Sequence, residues 1–318
     1  MRVAAIDVGT NTTRLLVAEA HGSTYRELDR RLSYTRLGEG VDAQSRIQPE
    51  AMKRTLGAIA EFCSVCGEFG VQQISIAGTS AVRDASNRES FLQAAEQLAG
   101  VPAKALSGAE EAQLSFMGAT VELVDGLCLV CDIGGGSTEF ILGEPHSDEL
   151  LRTSLNVGSV RLTERFLKSD PPATEEMLML EAAIDAALED VDLAIPEISE
   201  ARLVGLGGTV TTLAAINLEI ERYQPELIHL AELDGGEVTR IYHLLAGMSV
   251  EERSTLPCLP KGRADVIVAG ASILSRVMTR WSFPAVLVSE KDILDGLVLQ
   301  MVHLQTPGRG ANEVGPHS

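Results

Sequence analysis

No run of eighteen apolar residues occurs in this 318-residue chain, which excludes a membrane-spanning helix. The opening Met1-Arg2-Val3-Ala4-Ala5-Ile6-Asp7 carries an acid inside its apolar stretch and lacks the plan of a signal peptide, so a cytoplasmic protein is expected. Positive charge is scarce: 26 Lys and Arg face 45 Asp and Glu, a formal net charge of −19. That balance argues against a nucleic-acid partner. It would also repel a polyanionic substrate at long range, unless arginines and Mg²⁺ make one cleft locally positive. The six histidines show no H-E-x-x-H or other metal spacing. G-x-x-x-x-G-K-[ST] is absent, which excludes a P-loop protein, and no G-x-G-x-x-G follows the first strand, which disfavours a dinucleotide fold.

Cysteine is sparse too, with five residues that include the C-x-x-C pairs Cys63/Cys66 and Cys128/Cys131. The first pair falls in an amphipathic helical stretch. The second lies three apart in an expected strand, where side chains alternate faces and cannot chelate together. Core thiols are the better reading than a metal or redox site.

What the chain does have is an apolar content of 45%, enough for full cores, and a length that suits two domains. Residues 2–8, 13–20 and 24–33 read as three closely spaced strands, hence an antiparallel start. A helix over 49–68 opens with Pro49 at its first turn. Strand 74–77 and helices near 88–99 and 108–120 follow. The pattern then restarts: strands near 127–133, 138–143 and 150–156, helices near 159–167 and 175–193, and strand 203–206 running into a helix. A late helix over 263–280, strand 286–288 and a helix from Asp292 complete it. The order β-β-β-α-β-α occurs twice. The expectation is therefore α/β, with domains at 1–122 and 123–305 and a disordered tail at 306–318.

Two strand ends resemble each other. Cys131-Asp132-Ile133-Gly134-Gly135-Gly136-Ser137-Thr138-Glu139 follows an apolar run, and Val3-Ala4-Ala5-Ile6-Asp7-Val8-Gly9-Thr10-Asn11-Thr12-Thr13 repeats the plan. Three residues without Cβ let backbone N–H groups approach an anion closely. Asp132 and Glu139 bracket that turn and could hold a divalent cation against the same phosphate. Gly207-Gly208-Thr209 supplies a third such turn, at the start of a helix. A single one would be no more than a tight turn; three together favour phosphate. In Ser107-Gly108-Ala109-Glu110-Glu111-Ala112, Ser107 and Glu110 have capping-box spacing. Glu111 is left without a structural role and could take a proton from water, although a first-turn glutamate is usually solvated. Arg83, just after Thr79-Ser80-Ala81, could grip phosphate bidentately or simply pair with Asp84 on the surface.

The motifs Asp7-Val8-Gly9-Thr10-Asn11-Thr12-Thr13-Arg14, Thr79-Ser80-Ala81-Val82-Arg83-Asp84, Ser107 to Ala112 and Asp132 to Glu139 resemble those of the exopolyphosphatase/guanosine pentaphosphate phosphohydrolase (Ppx/GppA) family, in that family's order. The later segments Asn156 to Glu164 and Gly205 to Thr209 are similar to it as well. The resemblance implies two ribonuclease-H-like domains of the actin, sugar-kinase and Hsp70 superfamily, with the active cleft between them. It implies Mg²⁺-dependent (or Mn²⁺-dependent) release of terminal orthophosphate from inorganic polyphosphate. On that resemblance Glu111 is the catalytic base. Asn11, Thr12, Arg83, Gly134, Gly135, Gly136, Ser137, Gly208 and Thr209 bind substrate, and Asp132 and Glu139, with Asp7 through water, position the metal. A homodimer is compatible with it. The chain ends near 305, where longer members continue, so shorter polyphosphate chains are expected as substrate. The alternatives are a guanosine pentaphosphate (pppGpp) 5′-phosphatase, a sugar-type kinase, and a non-catalytic sensor of polyphosphate or alarmone.

Overall fold

The structure is a computed structural model that describes residues 1–39, 45–147, 149–196 and 198–304; the tail expected at 306–318 lies outside them. The first strands, β1 (Arg2–Val8), β2 (Thr13–His21) and β3 (Thr24–Ser33), form an antiparallel meander. β1 is central and buried on both faces, which is why it is almost uninterruptedly apolar. Helix α1 (Pro49–Glu68) starts with proline at its first turn and buries Ile59, Phe62, Val65 and Cys66 along one face. β4 (Gln73–Gly78) then lies parallel to β1. Next come α2 (Ser80–Arg83), α3 (Arg88–Ala99), the short β5 (Ala103–Ala105), parallel to β4, and α4 (Gly108–Thr120). The sheet order is β3-β2-β1-β4-β5.

The plan repeats with β6 (Cys128–Ile133), β7 (Thr138–Gly143) and β8 (Leu151–Leu155), followed by α5 (Ser159–Phe166), α6 (Thr174–Ala194), β9 (Arg202–Leu206), parallel to β6, and α7 (Gly207–Asn217). The rest comprises α8 (Pro225–Ile228), β10 (Glu232–Asp234), α9 (Gly235–Ala246), α10 (Val250–Arg253), α11 (Ile267–Trp281), β11 (Ala285–Val288) and α12 (Ile293–His303). The second sheet runs β10-β11-β9-β6-β7-β8. Two mixed sheets, each opened by an antiparallel meander and extended by parallel strands, make the expected ribonuclease-H-like α/β architecture.

Differences from the sequence reading are local. The helix expected from 263 begins at Ile267, because Lys261–Arg263 forms a separate 3₁₀ turn. β10 and α9 were not anticipated: three residues are too few for periodicity, and α9 opens on two glycines. Asp234 caps α9, its side chain accepting from Gly236 N–H at 2.7 Å.

Helices α4 and α12 form the layer between the sheets. Leu114 of α4 packs with Val3, Ala5 and Leu16 of the first sheet, whereas Ala112, Phe116 and Ala119 pack with Val130, Ile141 and Val204 of the second. Although it lies far beyond residue 123, α12 covers the first sheet with Leu294, Leu297, Val298 and Met301. The two helices touch backbone to backbone. A Cβ on Gly118 would lie 1.9 Å from the Asp292 carbonyl oxygen, and one on Gly296 would lie 2.1 Å from that of Leu114. Cys128 and Cys131 face the opposite cores of the second sheet, as strand alternation requires. Among the described residues no helix is long and apolar enough to cross a membrane.

Candidate active site

Both meanders deliver an acid to the same place. In the first, Asp7 pairs in register with Arg14, and in the second Asp132 pairs with Glu139. Each intervening turn closes the same way: Gly9 N–H donates to Thr12 C=O at 2.9 Å, and Gly134 N–H to Ser137 C=O at 3.0 Å. The two turns, the end of β4 and the start of α7 enclose a polar cavity of about 110 Å³ between the sheets.

Helix α5 ties back the triple-glycine turn. Gly134 C=O accepts from Ser159 N–H at 2.9 Å, Gly135 C=O from Val160 N–H at 2.9 Å, and Gly136 C=O from Arg161 Nε at 2.6 Å. With its carbonyls drawn toward α5, the turn can offer amides to the cleft. The approach is close: a Cβ on Gly158 would sit 2.4 Å from Gly135 C=O. Only glycine fits there.

Glu111 lies in the first turn of α4. Ser107 and Glu110 complete the capping box, with Glu110 N–H on Ser107 Oγ and Ser107 N–H on Glu110 Oε2. Glu111 is not the solvated residue that its position usually implies, since it is only 7% exposed. Burial pushes its carboxyl up to about 7; Arg83 pulls against that, and the charges of Asp132 and Asp7 reinforce it. Arg83 Nη1 donates to Glu111 Oε2 at 2.5 Å, while its contact with Asp84 is longer, at 3.6 Å. The surface pairing weighed from sequence is therefore the lesser of its two contacts.

Of the acids expected to hold a cation, Asp7 and Glu139 are buried and Asp132 is half-buried. Asp132 accepts from Ser115 Oγ at 3.2 Å and is pushed up to about 6 by burial, then by Asp292. Glu139 accepts from Ser154 Oγ at 3.0 Å and is raised by burial, then by Glu111 and Asp132. Asp7 is raised by burial despite Arg14, whose Nε and Nη2 both donate to its Oδ2, at 3.0 and 2.7 Å. Asp7 Oδ1 is buried with no hydrogen-bond partner. Among the described residues no three acids, imidazoles or thiols are grouped closely enough to hold a metal by themselves.

Asn11, Thr12, Gly134, Gly135, Ser137 and Thr209 line the cavity with Asp7, Glu111, Asp132 and Glu139. Three expected residues stand differently. Gly136 lines a smaller neighbouring cavity beside Thr10 and Ser80. Gly208 lies under the Arg263 guanidinium, where a Cβ would come within 1.6 Å of Nη1. Arg83 reaches the cleft through Glu111. No motif points to a role for Arg14, Arg263 or Asp292; Asp292 lies far along the chain from Arg14 and meets it in the fold. Arg14 was the one that could have been found, because antiparallel pairing of strands 2–8 and 13–20 sets it opposite Asp7.

Arg14, Gly207 and Arg263 also border a second cavity of about 630 Å³, lined further by Leu28, Tyr34, Tyr223 and Pro225. Its other arginines are already engaged, Arg30 with Asp295 and Glu27, and Arg31 with Asp29.

The sequence profile of the Ppx/GppA phosphatase family matches residues 16–305. Exopolyphosphatase 2 of Mycobacterium tuberculosis is 37% identical over 315 residues, covering 94% of this chain and 98% of that protein. A bifunctional 3-dehydroquinate synthase/phosphatase of Fusobacterium nucleatum is 31% identical across 94% of this chain, a match that takes in 46% of that longer protein. Among solved structures, an exopolyphosphatase from Cytophaga hutchinsonii superposes with a TM-score of 0.88 at 30% identity, covering 95% of this chain and 98% of that one. The Aquifex aeolicus Ppx/GppA member gives 0.83 at 29% identity, with coverage of 97% and 99%.

Proposed function

This chain belongs to the Ppx/GppA phosphatase family, and from that premise we propose that it is an exopolyphosphatase releasing orthophosphate from the end of inorganic polyphosphate. The observation that carries the reading is the buried Glu111 in one cavity with the tied-back glycine turn and the Asp132/Glu139 pair. The terminal phosphate lies against the amides of the turns at 9–12 and 134–137 and the N-terminus of α7, where N–H groups and the helix dipole favour negative charge. Glu111 accepts a proton from water as the water oxygen attacks the terminal phosphorus. The P–O bond to the penultimate phosphate breaks, giving orthophosphate and a chain one unit shorter. Arg83 holds Glu111 in place and stabilises its ionised form.

Asp132, Glu139 and the free Asp7 Oδ1 are the groups that would hold Mg²⁺ or Mn²⁺. Carboxyls raised by burial and then by neighbouring acids, together with an unpartnered carboxylate oxygen, fit a cation. Because no three ligands converge among the described residues, the ion would take its remaining ligands from phosphate and water, as Mg²⁺ commonly does. When bound it supplies neutralising charge to the phosphate oxygens. A cytoplasmic setting belongs to the same reading, supported by the free thiols of all five cysteines.

The 630 Å³ cavity favours a second reading, the pppGpp 5′-phosphatase. A space with two tyrosines and ion-paired arginines suits a nucleoside end better than further phosphates. Phosphate release with Mg²⁺ from short polyphosphate, long polyphosphate and pppGpp tests both readings. Polyphosphate turnover that drops ~10²–10⁴-fold in Glu111→Gln, with binding retained, is expected. Release from pppGpp alone would move the function to the nucleotide, and silence on all three would leave a sensor.

A further inference from the structure

Arg14 holds Asp7 in an unusual manner. A guanidinium normally meets a carboxylate fork to fork, two N–H groups on two oxygens. Here Nε and Nη2 both fall on Oδ2 of Asp7, and Oδ1 is left buried with no partner. The other edge of the guanidinium, Nη1, is bonded to Asp292 Oδ2.

Asp292 has little freedom to move. It caps α12, its Oδ1 accepting from Leu294 N–H at 3.0 Å. Its own N–H donates at 2.9 Å to Asp295 Oδ2, and Asp295, fully buried, is held by Tyr25 Oη and by Arg30 Nη2 at 2.9 Å. Its carbonyl is wedged against Gly118 of α4. The carboxylate that pulls on Arg14 is thus fixed from three sides.

We propose that Asp292 is a positioning residue: it draws Arg14 aside so that the guanidinium cannot bond both oxygens of Asp7, and so keeps Asp7 Oδ1 available to a divalent cation. Without that pull, Arg14 rotates into the fork-to-fork pairing and consumes the oxygen. The inference rests on the cation reading above.

The test is calorimetric titration of Mg²⁺ into the full-length protein without substrate, so that turnover plays no part. Asp292→Ser keeps an oxygen for the Leu294 N–H but loses the carboxylate. A second variant, Asp292→Asn, guards against misfolding of the first, and thermal unfolding verifies both. Each should weaken Mg²⁺ binding about tenfold, whereas in an Arg14→Met background Asp292→Ser should change it less than twofold. A structure of Asp292→Ser should show Arg14 on both Asp7 oxygens. An equal loss in both backgrounds would mean that Asp292 acts merely as a negative charge, and would overturn the proposal. Parent protein that binds no Mg²⁺ would overturn the cation reading and the proposal with it. Mg²⁺ binding in the parent with no change in either variant would overturn the positioning role alone.

Discussion

Glu111 is acted on in opposite directions, by burial and neighbouring acids that favour its neutral form and by Arg83 that favours the charged one. A general base works only when deprotonated, and this carboxyl sits at about 7. The rate at saturating substrate should therefore fall as pH drops below about 7, in a pH–rate profile. A cation bound beside Asp132 and Glu139 lowers the cost of a third negative charge, so the midpoint should move down as Mg²⁺ is raised. Arg83→Ala removes the guanidinium that opposes the upward shift, and its midpoint should move up. An unchanged midpoint in that variant would show that the 2.5 Å contact has no bearing on the base. The sequence marked Glu111 through the capping box, which used Glu110 and left its neighbour over. It could not show that the neighbour faces a cleft and not water, because the acids around Glu111 come from two separate sheets, Asp7 from the first and Asp132 from the second.

At the scale of elements, the base depends on how closely α4 and α12 approach, and two glycines set that distance. Gly118→Ala gains up to about 1 kcal/mol of helix propensity. The new methyl, however, meets the Asp292 carbonyl at 1.9 Å, an overpacking that typically costs ~1–3 kcal/mol. A net loss of roughly 1–2 kcal/mol is expected in urea unfolding. Gly57 of α1 is the contrast: it is exposed, and a Cβ there meets nothing within 4 Å. Gly57→Ala should stabilise by about 0.5–1 kcal/mol in the same assay. Most elements were legible from local pattern, including both meanders and the proline start of α1. The contact of α4 with α12 was not, because small residues at an interface leave no periodic signature.

For the whole molecule, the cleft is closed on one side by a link between the halves. Arg36, after β3, pairs with Asp265, before α11, at 3.0 Å, and Tyr34 packs on Gly262, where a Cβ would lie 2.5 Å from its ring. Arg263, lying over Gly208, is held within this segment. Both partners of the ion pair are substantially exposed, so its loss should change stability by less than about 1 kcal/mol. The expected effect of Arg36→Ala is functional: a severalfold rise in KM for polyphosphate with kcat within twofold, measured by steady-state kinetics. A fall in kcat alone would contradict it. The sequence announced the duplicated fold through its repeated strand order and glycine turns. It was silent on this link, since Arg36 and Asp265 belong to no motif and meet only once both sheets have formed.

The position of α12 also has a consequence for how the chain is made. One face of the first sheet is finished by Leu294, Leu297, Val298 and Met301, which leave the ribosome only after the entire second sheet. At ~5–20 residues per second, the strands ending at Ala105 wait roughly ten to forty seconds for that cover. During that interval Val3, Ala5, Leu16 and Ala18 have only Leu106 and Leu114 of that cluster's later residues as cover, and the rest of the face stays open to water or to a chaperone. The sheet synthesised first of the two is among the last to become stable.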